Sequence, residues 1–290
     1  MNSQGFARRT LAALAACALL CAGGAAAAEP DIRSGVALVI DHNGNRLVSR
    51  NTTEVRPIAS ITKLMTAMVV LDADVPLEDP VTITEQDRDR MRWSRSRLYI
   101  DEATMSRRDM LRVALMSSDN RAAHALGRTT FAGGTGDFVA AMNAKAATLG
   151  MRDSHFEDAS GLDARNVSTA EDLVRMINAA AQYPFIREVT STGVFTAHPY
   201  LDTKRGPLEY RNTNPLTRDG RWQVELSKTG YIQEAGRCLV MQAVVAGRRL
   251  YIVLLNADGK LTPMADANRL RDWLQHEGGT RTASLASRGQ

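Results

Sequence analysis

The stretch CLVMQAVVAGRRLYIVLL (Cys238–Leu255) holds two apolar, β-branched runs, Cys238 to Val245 and Leu250 to Leu255. They are separated by Ala246-Gly247-Arg248-Arg249, so the whole reads as a pair of buried strands. Just downstream, Met264, Ala267, Leu270, Trp273 and Leu274 fall on one helical stripe. At the other end of the chain, Val36 to Ile40 is a third apolar run. Asp41 to Asn45 follows as a turn, and Arg46 to Val48 returns as a hairpin partner. Helical signals fill the middle. Ser106 to Asp109 opens a helix carrying Met110, Leu111, Ala114 and Leu115. Phe138 to Leu149 is another, stopped by Gly150. Ser168 to Glu171 reads as a capping box before Leu173, Val174 and Ile177. Strands at both ends with helices between predict an α+β fold, in which one sheet draws strands from both ends and a helical half is inserted.

Composition agrees. Of 290 residues, 44% are hydrophobic and 23% charged, which excludes a wholly disordered chain, a collagen and a multispan membrane protein. The net charge of +4, spread along the chain, gives no support to nucleic acid as a partner. Residues 1–28 begin with Arg8 and Arg9, continue through an apolar run from Leu11 to Cys21 and end in alanines. That is the pattern of a secretory signal peptide cleaved near Ala28. Its removal takes Cys17 and Cys21 away and leaves Cys238, a small hydrophobe in an apolar run and not a nucleophile. The expected organisation is a signal peptide at 1–28, one catalytic domain at 29–277 and a loose polar tail at 278–290.

Three short motifs carry chemistry. In Ser60-Ile61-Thr62-Lys63, the apolar residues Ile61, Leu64, Met65, Met68 and Leu71 predict a helix with Ser60 at its start and Lys63 one turn on. Free N–H groups at a helix start can hold an oxyanion while the serine attacks a carbonyl, and a neutral lysine can take the serine proton. In Ser118-Asp119-Asn120, after the helix ending near Met116, a hydroxyl and an amide share a turn. Ser118 fits a proton relay, and Asn120 fits a carbonyl or the lysine amine. Ser-x-Asn alone is not specific, since Ser49-Arg50-Asn51 repeats it at a strand end. In Lys228-Thr229-Gly230, on the approach to the strand at Cys238, Lys228 and Gly230 face one side and Thr229 the other. The glycine permits close approach of a ligand backbone, and Lys228 adds charge that keeps a nearby lysine neutral.

In this order the three motifs are those of the β-lactamases and penicillin-binding proteins. The chain resembles the low-molecular-weight D-alanyl-D-alanine peptidases, particularly the periplasmic endopeptidases among them. The resemblance runs through ASITKLMTAMVVL (Ala59–Leu71), LMSSDNRAA (Leu115–Ala123) and SKTGYIQEAGRCLVMQ (Ser227–Gln242). It implies the transpeptidase-like fold, an antiparallel sheet flanked by helices with an inserted helical subdomain. It also implies Ser60 as acylated nucleophile, Lys63 as general base and Ser118 as proton shuttle. Asn120, Lys228, Thr229, Gly230 and Tyr231 would bind substrate, Thr229 at its carboxylate, and the N–H groups of Ser60 and Tyr231 would form the oxyanion hole. In some relatives a downstream arginine binds a carboxylate, and Lys260 is the candidate for that part here, though no motif fixes it. The implied substrate is the peptide cross-link of peptidoglycan, with β-lactams as covalent inhibitors, cell-wall enzymes as partners, and no cofactor or metal.

Alternatives differ in what they require. A carboxypeptidase differs only in its leaving group. A β-lactamase needs a deacylating base, and no Glu-x-x-Leu-Asn stretch is present; Glu171 serves a helix start. A non-catalytic wall-binding module would not need Ser60, Lys63 and Lys228 intact. The five histidines form no HExxH, and there is no Gly-x-Ser-x-Gly elbow. His124 reads as a packed core residue. Arg88 to Arg97, interleaved with Asp87 and Asp89, reads as a solvated face.

Overall fold

The structure, a computed structural model, describes residues 30–200 and 205–286, with side chains up to His276. The predicted signal peptide lies outside the described residues. The chain opens with hairpin β1 (Val36–Asp41) and β2 (Arg46–Arg50), then a short strand β3 (Arg56–Pro57) and helix α1 (Thr62–Asp72). Short strands β4 (Pro80–Thr82) and β5 (Thr104–Ser106) precede α2 (Arg107–Met116), α3 (Asn120–Thr130) and α4 (Thr135–Thr148). Strand β6 (Val167–Ser168), α5 (Ala170–Ala180), α6 (Pro184–Ser191), β7 (Val194–Ala197) and β8 (Leu208–Arg211) follow. Strands β9 (Gln223–Ile232), β10 (Gly236–Val245) and β11 (Arg248–Ala257) and helix α7 (Thr262–Ala286) complete the order.

Five strands form one antiparallel sheet in the order β2-β1-β11-β10-β9. β1 pairs with β11, Val36 opposite Leu255, so the two ends of the chain do build one sheet. The β10–β11 turn is tighter than its sequence suggested: Arg248 and Arg249 already pair across the ladder, leaving Ala246 and Gly247 as the turn.

Alternation along the strands splits the core in two. Leu38, Val240 and Val253 face α1 to α5 in the larger cluster. Val39, Leu239 and Ile252 face Ala267, Leu270 and Leu274 of α7. Three departures from the sequence expectation stand out. α1 is not one-sided: every residue from Thr62 to Val70 is buried, because the helix runs through the middle of the helical half. The cap of α5 is Thr169, which accepts the Asp172 N–H; Glu171 turns outward to a bidentate pair with Arg46. α7 continues to Ala286, past the stripe that ends at Leu274 and into the segment expected to be a loose tail.

Candidate active site

Ser60 sits in a 3-10 turn, Ala59–Ile61, that leads into α1. Ala59 adopts φ +48°, which sets Ser60 at the lip of the turn. Lys63, one turn on, is 1% exposed. Its Nζ lies 3.0 Å from Ser60 Oγ, 2.7 Å from Asn120 Oδ1 and 2.7 Å from the Ser160 carbonyl. Burial pulls the amine down to about 8, while the carboxylates Asp158 and Asp119 oppose that pull. A neutral amine has two hydrogens and one lone pair. Asn120 Oδ1 and Ser160 O can only accept, so they take the hydrogens and leave the lone pair facing the Ser60 hydroxyl.

Ser118 occupies the turn between α2 and α3. Ser117 Oγ bonds back to the Val113 carbonyl at 2.8 Å, and Asp119 caps α3 by accepting the Ala122 N–H. Between them Ser118 takes φ +62°, a left-handed conformation costing a non-glycine residue roughly 1–3 kcal/mol. Asn120 opens α3 and is fixed at both ends, its Nδ2 donating to Ser94 Oγ at 2.8 Å.

β9 is an edge of the sheet, and Lys228, Thr229 and Gly230 lie on it. Lys228 is 1% exposed, with Nζ 2.9 Å from Ser118 Oγ and from the Thr229 carbonyl. Burial holds it well below its ordinary value, and the charge of Lys63 adds to the effect. Burial is the first cause at both lysines, and the repulsion between the two amines adds to it. Gly230 also has another reason than ligand approach. A Cβ there would meet the Ile58 carbonyl at 2.9 Å and the Ser60 nitrogen at 3.1 Å, so its absence lets β9 press against the turn that carries Ser60. Thr229 faces the other side and donates to Thr213 Oγ1 at 2.6 Å.

A cleft of about 390 Å³ runs along this edge. Ser60, Ser118, Asn120, Thr229, Gly230 and Tyr231 line it, and Lys260 stands on its wall. Tyr231 is half exposed, with the Arg237 guanidinium 3.6 Å over its ring. Cys238 also reaches the cleft but is 2% exposed, its thiol pushed up to about 11 by burial, as suits a packing residue. Among the described residues no cluster of His, Cys, Asp and Glu could hold a metal ion.

Several participants escaped the sequence reading. The arginines of the run do face solvent, Arg92 only partly, but the two aspartates between them are buried and order the backbone. Asp87 is buried against Arg128, and Asp89 collects the N–H groups of Met91, Arg92 and Ser94. These bonds order the loop against the turn between α2 and α3, where Ser94 accepts from Asn120 and Ser96 donates to Asp119. His124 is half-buried on the wall of a separate cavity, not packed in the core. Ser160 offers Lys63 a backbone carbonyl, and Gly161 follows at φ +80°, where a Cβ would lie 2.0 Å from the Ala59 carbonyl oxygen.

Residues 24–259 match the family described as D-alanyl-D-alanine carboxypeptidase, peptidase family S11. The chain is 42% identical over 254 residues to the D-alanyl-D-alanine endopeptidase of Escherichia coli K12, covering 86% of this chain and 79% of that protein. It is 46% identical over 251 residues to the enzyme of the same name from Pseudomonas aeruginosa, covering 85% and 79%. Among solved structures, the Streptomyces K15 DD-transpeptidase superposes with a TM-score of 0.76 at 25% identity, covering 85% of this chain and 98% of that one. Penicillin-binding protein D2 of Listeria monocytogenes, in a cefotaxime-bound form, gives 0.72 at 30% identity, covering 83% and 97%. Motifs, fold and matches agree that the chain belongs to the D-alanyl-D-alanine carboxypeptidase family of serine peptidases.

Proposed function

We propose that this protein is a serine D-alanyl-D-alanine endopeptidase that hydrolyses peptide cross-links in peptidoglycan. One observation carries the reading: a buried lysine amine whose hydrogens are both engaged points its lone pair at a serine hydroxyl 3.0 Å away. Ser60 Oγ attacks the D-alanyl carbonyl and gives its proton to Lys63. The N–H groups of Ser60 and Tyr231 receive the oxyanion, each such donor being worth about 3 kcal/mol in the transition state. The proton taken by Lys63 passes to Ser118, which is hydrogen-bonded to Lys228 and hands its own proton to the departing amine, and water then releases the acyl-enzyme. Asn120 holds Lys63 and the bound peptide, Thr229 receives a substrate carboxylate, and Gly230 keeps β9 against Ser60. The chemistry needs no cofactor.

The remaining assignments belong to the same proposal. Residues 1–28 direct export to the periplasm, and residues 29–277 form the catalytic unit. The partners are cross-linked wall peptides, with β-lactams as covalent inhibitors and other cell-wall enzymes alongside. Among the described residues no helix is long and apolar enough to cross a membrane.

The endopeptidase reading is favoured over a carboxypeptidase by the two relatives at 42% and 46% identity, both called endopeptidases. Digesting cross-linked dimeric muropeptides beside monomeric pentapeptides, with products read by mass, tests it. Monomers released from dimers are expected. Loss of D-alanine from pentapeptides with dimers left intact would make the enzyme a carboxypeptidase. A non-catalytic module would leave both untouched and would not be labelled at Ser60 by a fluorescent penicillin.

A further inference from the structure

Beside the catalytic cleft lies a second cavity of about 430 Å³. It opens between the turn at Ser118 and Asp119, the loop carrying Arg95 and Arg97, and β8 at Tyr210 and Arg211. Ser118 is a wall of both cavities.

Three arginines line this annex against one carboxylate, Asp119. Asp119 is already engaged. It accepts the Ser96 hydroxyl and the Ala122 N–H, and burial pushes it toward its neutral form. Arg97 is engaged too: it stacks 4.3 Å over the Tyr210 ring and donates to the Glu209 carbonyl at 2.5 Å. Arg211 pairs with the Glu209 carboxylate at 2.9 Å, but their side chains are 71% and 54% exposed, so the pair is weak and exchangeable. Arg95 is exposed and has no hydrogen bond or ion pair among the described residues.

The wall of the annex adds an independent observation. Tyr210 is 3% exposed, yet its hydroxyl has no hydrogen-bond partner among the described residues. Buried hydroxyls are nearly always satisfied, and this one belongs to a residue lining the cavity that the arginines surround. Guanidinium forks and a phenol hydroxyl are together a donor set for a carboxylate.

We propose that the annex binds a carboxylate on the peptide substrate, with Arg95 and Arg211 as its cationic walls and the Tyr210 hydroxyl as a third donor. The inference rests on the peptidase reading and deepens it. The preferred substrates are anionic peptides with a free carboxylate near the bond to be cut, and the annex residues set specificity without touching the reacting atoms.

Two synthetic cross-linked dimers test this, one with its carboxylates free and one with all but the terminal carboxylates amidated. The wild-type enzyme should cut the free form with a KM about tenfold lower. Arg95→Ala and Arg211→Ala should each raise KM for the free form several-fold, leaving kcat and the amidated dimer unchanged, and Arg95→Glu should invert the preference. Tyr210→Phe keeps the ring under Arg97 and should cost part of the preference. Equal KM for both dimers, or variants that lose both equally, overturns the annex and leaves the peptidase reading standing. A wild-type enzyme that cuts neither dimer ends both. Fluorescent penicillin should label Ser60 in every arginine variant at the wild-type rate, and slower labelling also overturns the proposal by placing these arginines in the catalytic cleft.

Discussion

Lys228 Nζ lies 2.9 Å from Ser118 Oγ, although 110 residues separate the two in the chain. The contact joins the sheet edge to the helical half. It sets one polar pair, Ser118 and Lys228, beside a second group formed by Ser60, Lys63 and Asn120. Ser118 reaches Lys228 only because its backbone holds φ +62°, in a turn fixed by Ser117 and by the cap at Asp119. Folding therefore spends stability on the position of one hydroxyl.

Substitutions at Ser118 separate its chemistry from its strain. Ser118→Ala and Ser118→Gly both remove the relay and should lower peptide turnover by about 10²–10⁴-fold. Alanine keeps the left-handed strain and glycine relieves it. The glycine variant should therefore be more stable than the alanine variant by about 1 kcal/mol, measured by urea unfolding. Equal stability would place the strain elsewhere.

Gly161 is an equally specific point. It packs against the turn that presents Ser60, and a Cβ would stand 2.0 Å from the Ala59 carbonyl oxygen at a backbone angle of +80°. Gly161→Ala cannot be accommodated without moving Ala59, and so Ser60. The expected result is a stability loss of at least about 2 kcal/mol together with slower penicillin labelling of the fraction that stays folded. Gly136→Ala, in a helix with open space around the site, is the control and should leave labelling untouched.

These two residues also mark where the sequence was legible and where it was not. The side chains that carry chemistry have recognisable types and spacing, so Ser60, Lys63, Ser118, Asn120 and Lys228 could be read and are brought together. The β1–β11 pairing followed from apolar runs at both ends of the chain. What holds the site in place has no such signature. Ser160 contributes a backbone carbonyl, which any residue possesses. The loop from Asp87 to Arg97 looks like alternating surface charge because its order comes from side chains capping backbone N–H groups, a pattern with no period. Gly161 stands out only once Ala59 is seen behind it.

The ionisation of Lys63 gives the sharpest prediction. Its amine is lowered to about 8, chiefly by burial, and only the neutral form can accept the Ser60 proton. The rate of acylation by a β-lactam should thus fall about tenfold per unit on the acid side of that value and level off above it. Lys63→Ala should not acylate at any pH while remaining folded. Asp158 opposes the effect of burial, because its charge favours the protonated amine. Burial also works against the charge of Asp158, but hydrogen bonds from Asp163 N, Ser160 and Gly161 N hold its carboxyl below the ordinary range, so it is ionised wherever Lys63 titrates. Asp158→Asn removes that charge, and the acid limb of the profile should move to lower pH. The amide cannot accept all the N–H groups that the carboxylate holds, so the variant should also lose about 1–3 kcal/mol of stability. The two effects are measured independently, and a limb that stays in place or moves to higher pH in a folded Asp158→Asn enzyme would remove Lys63 from the role of base.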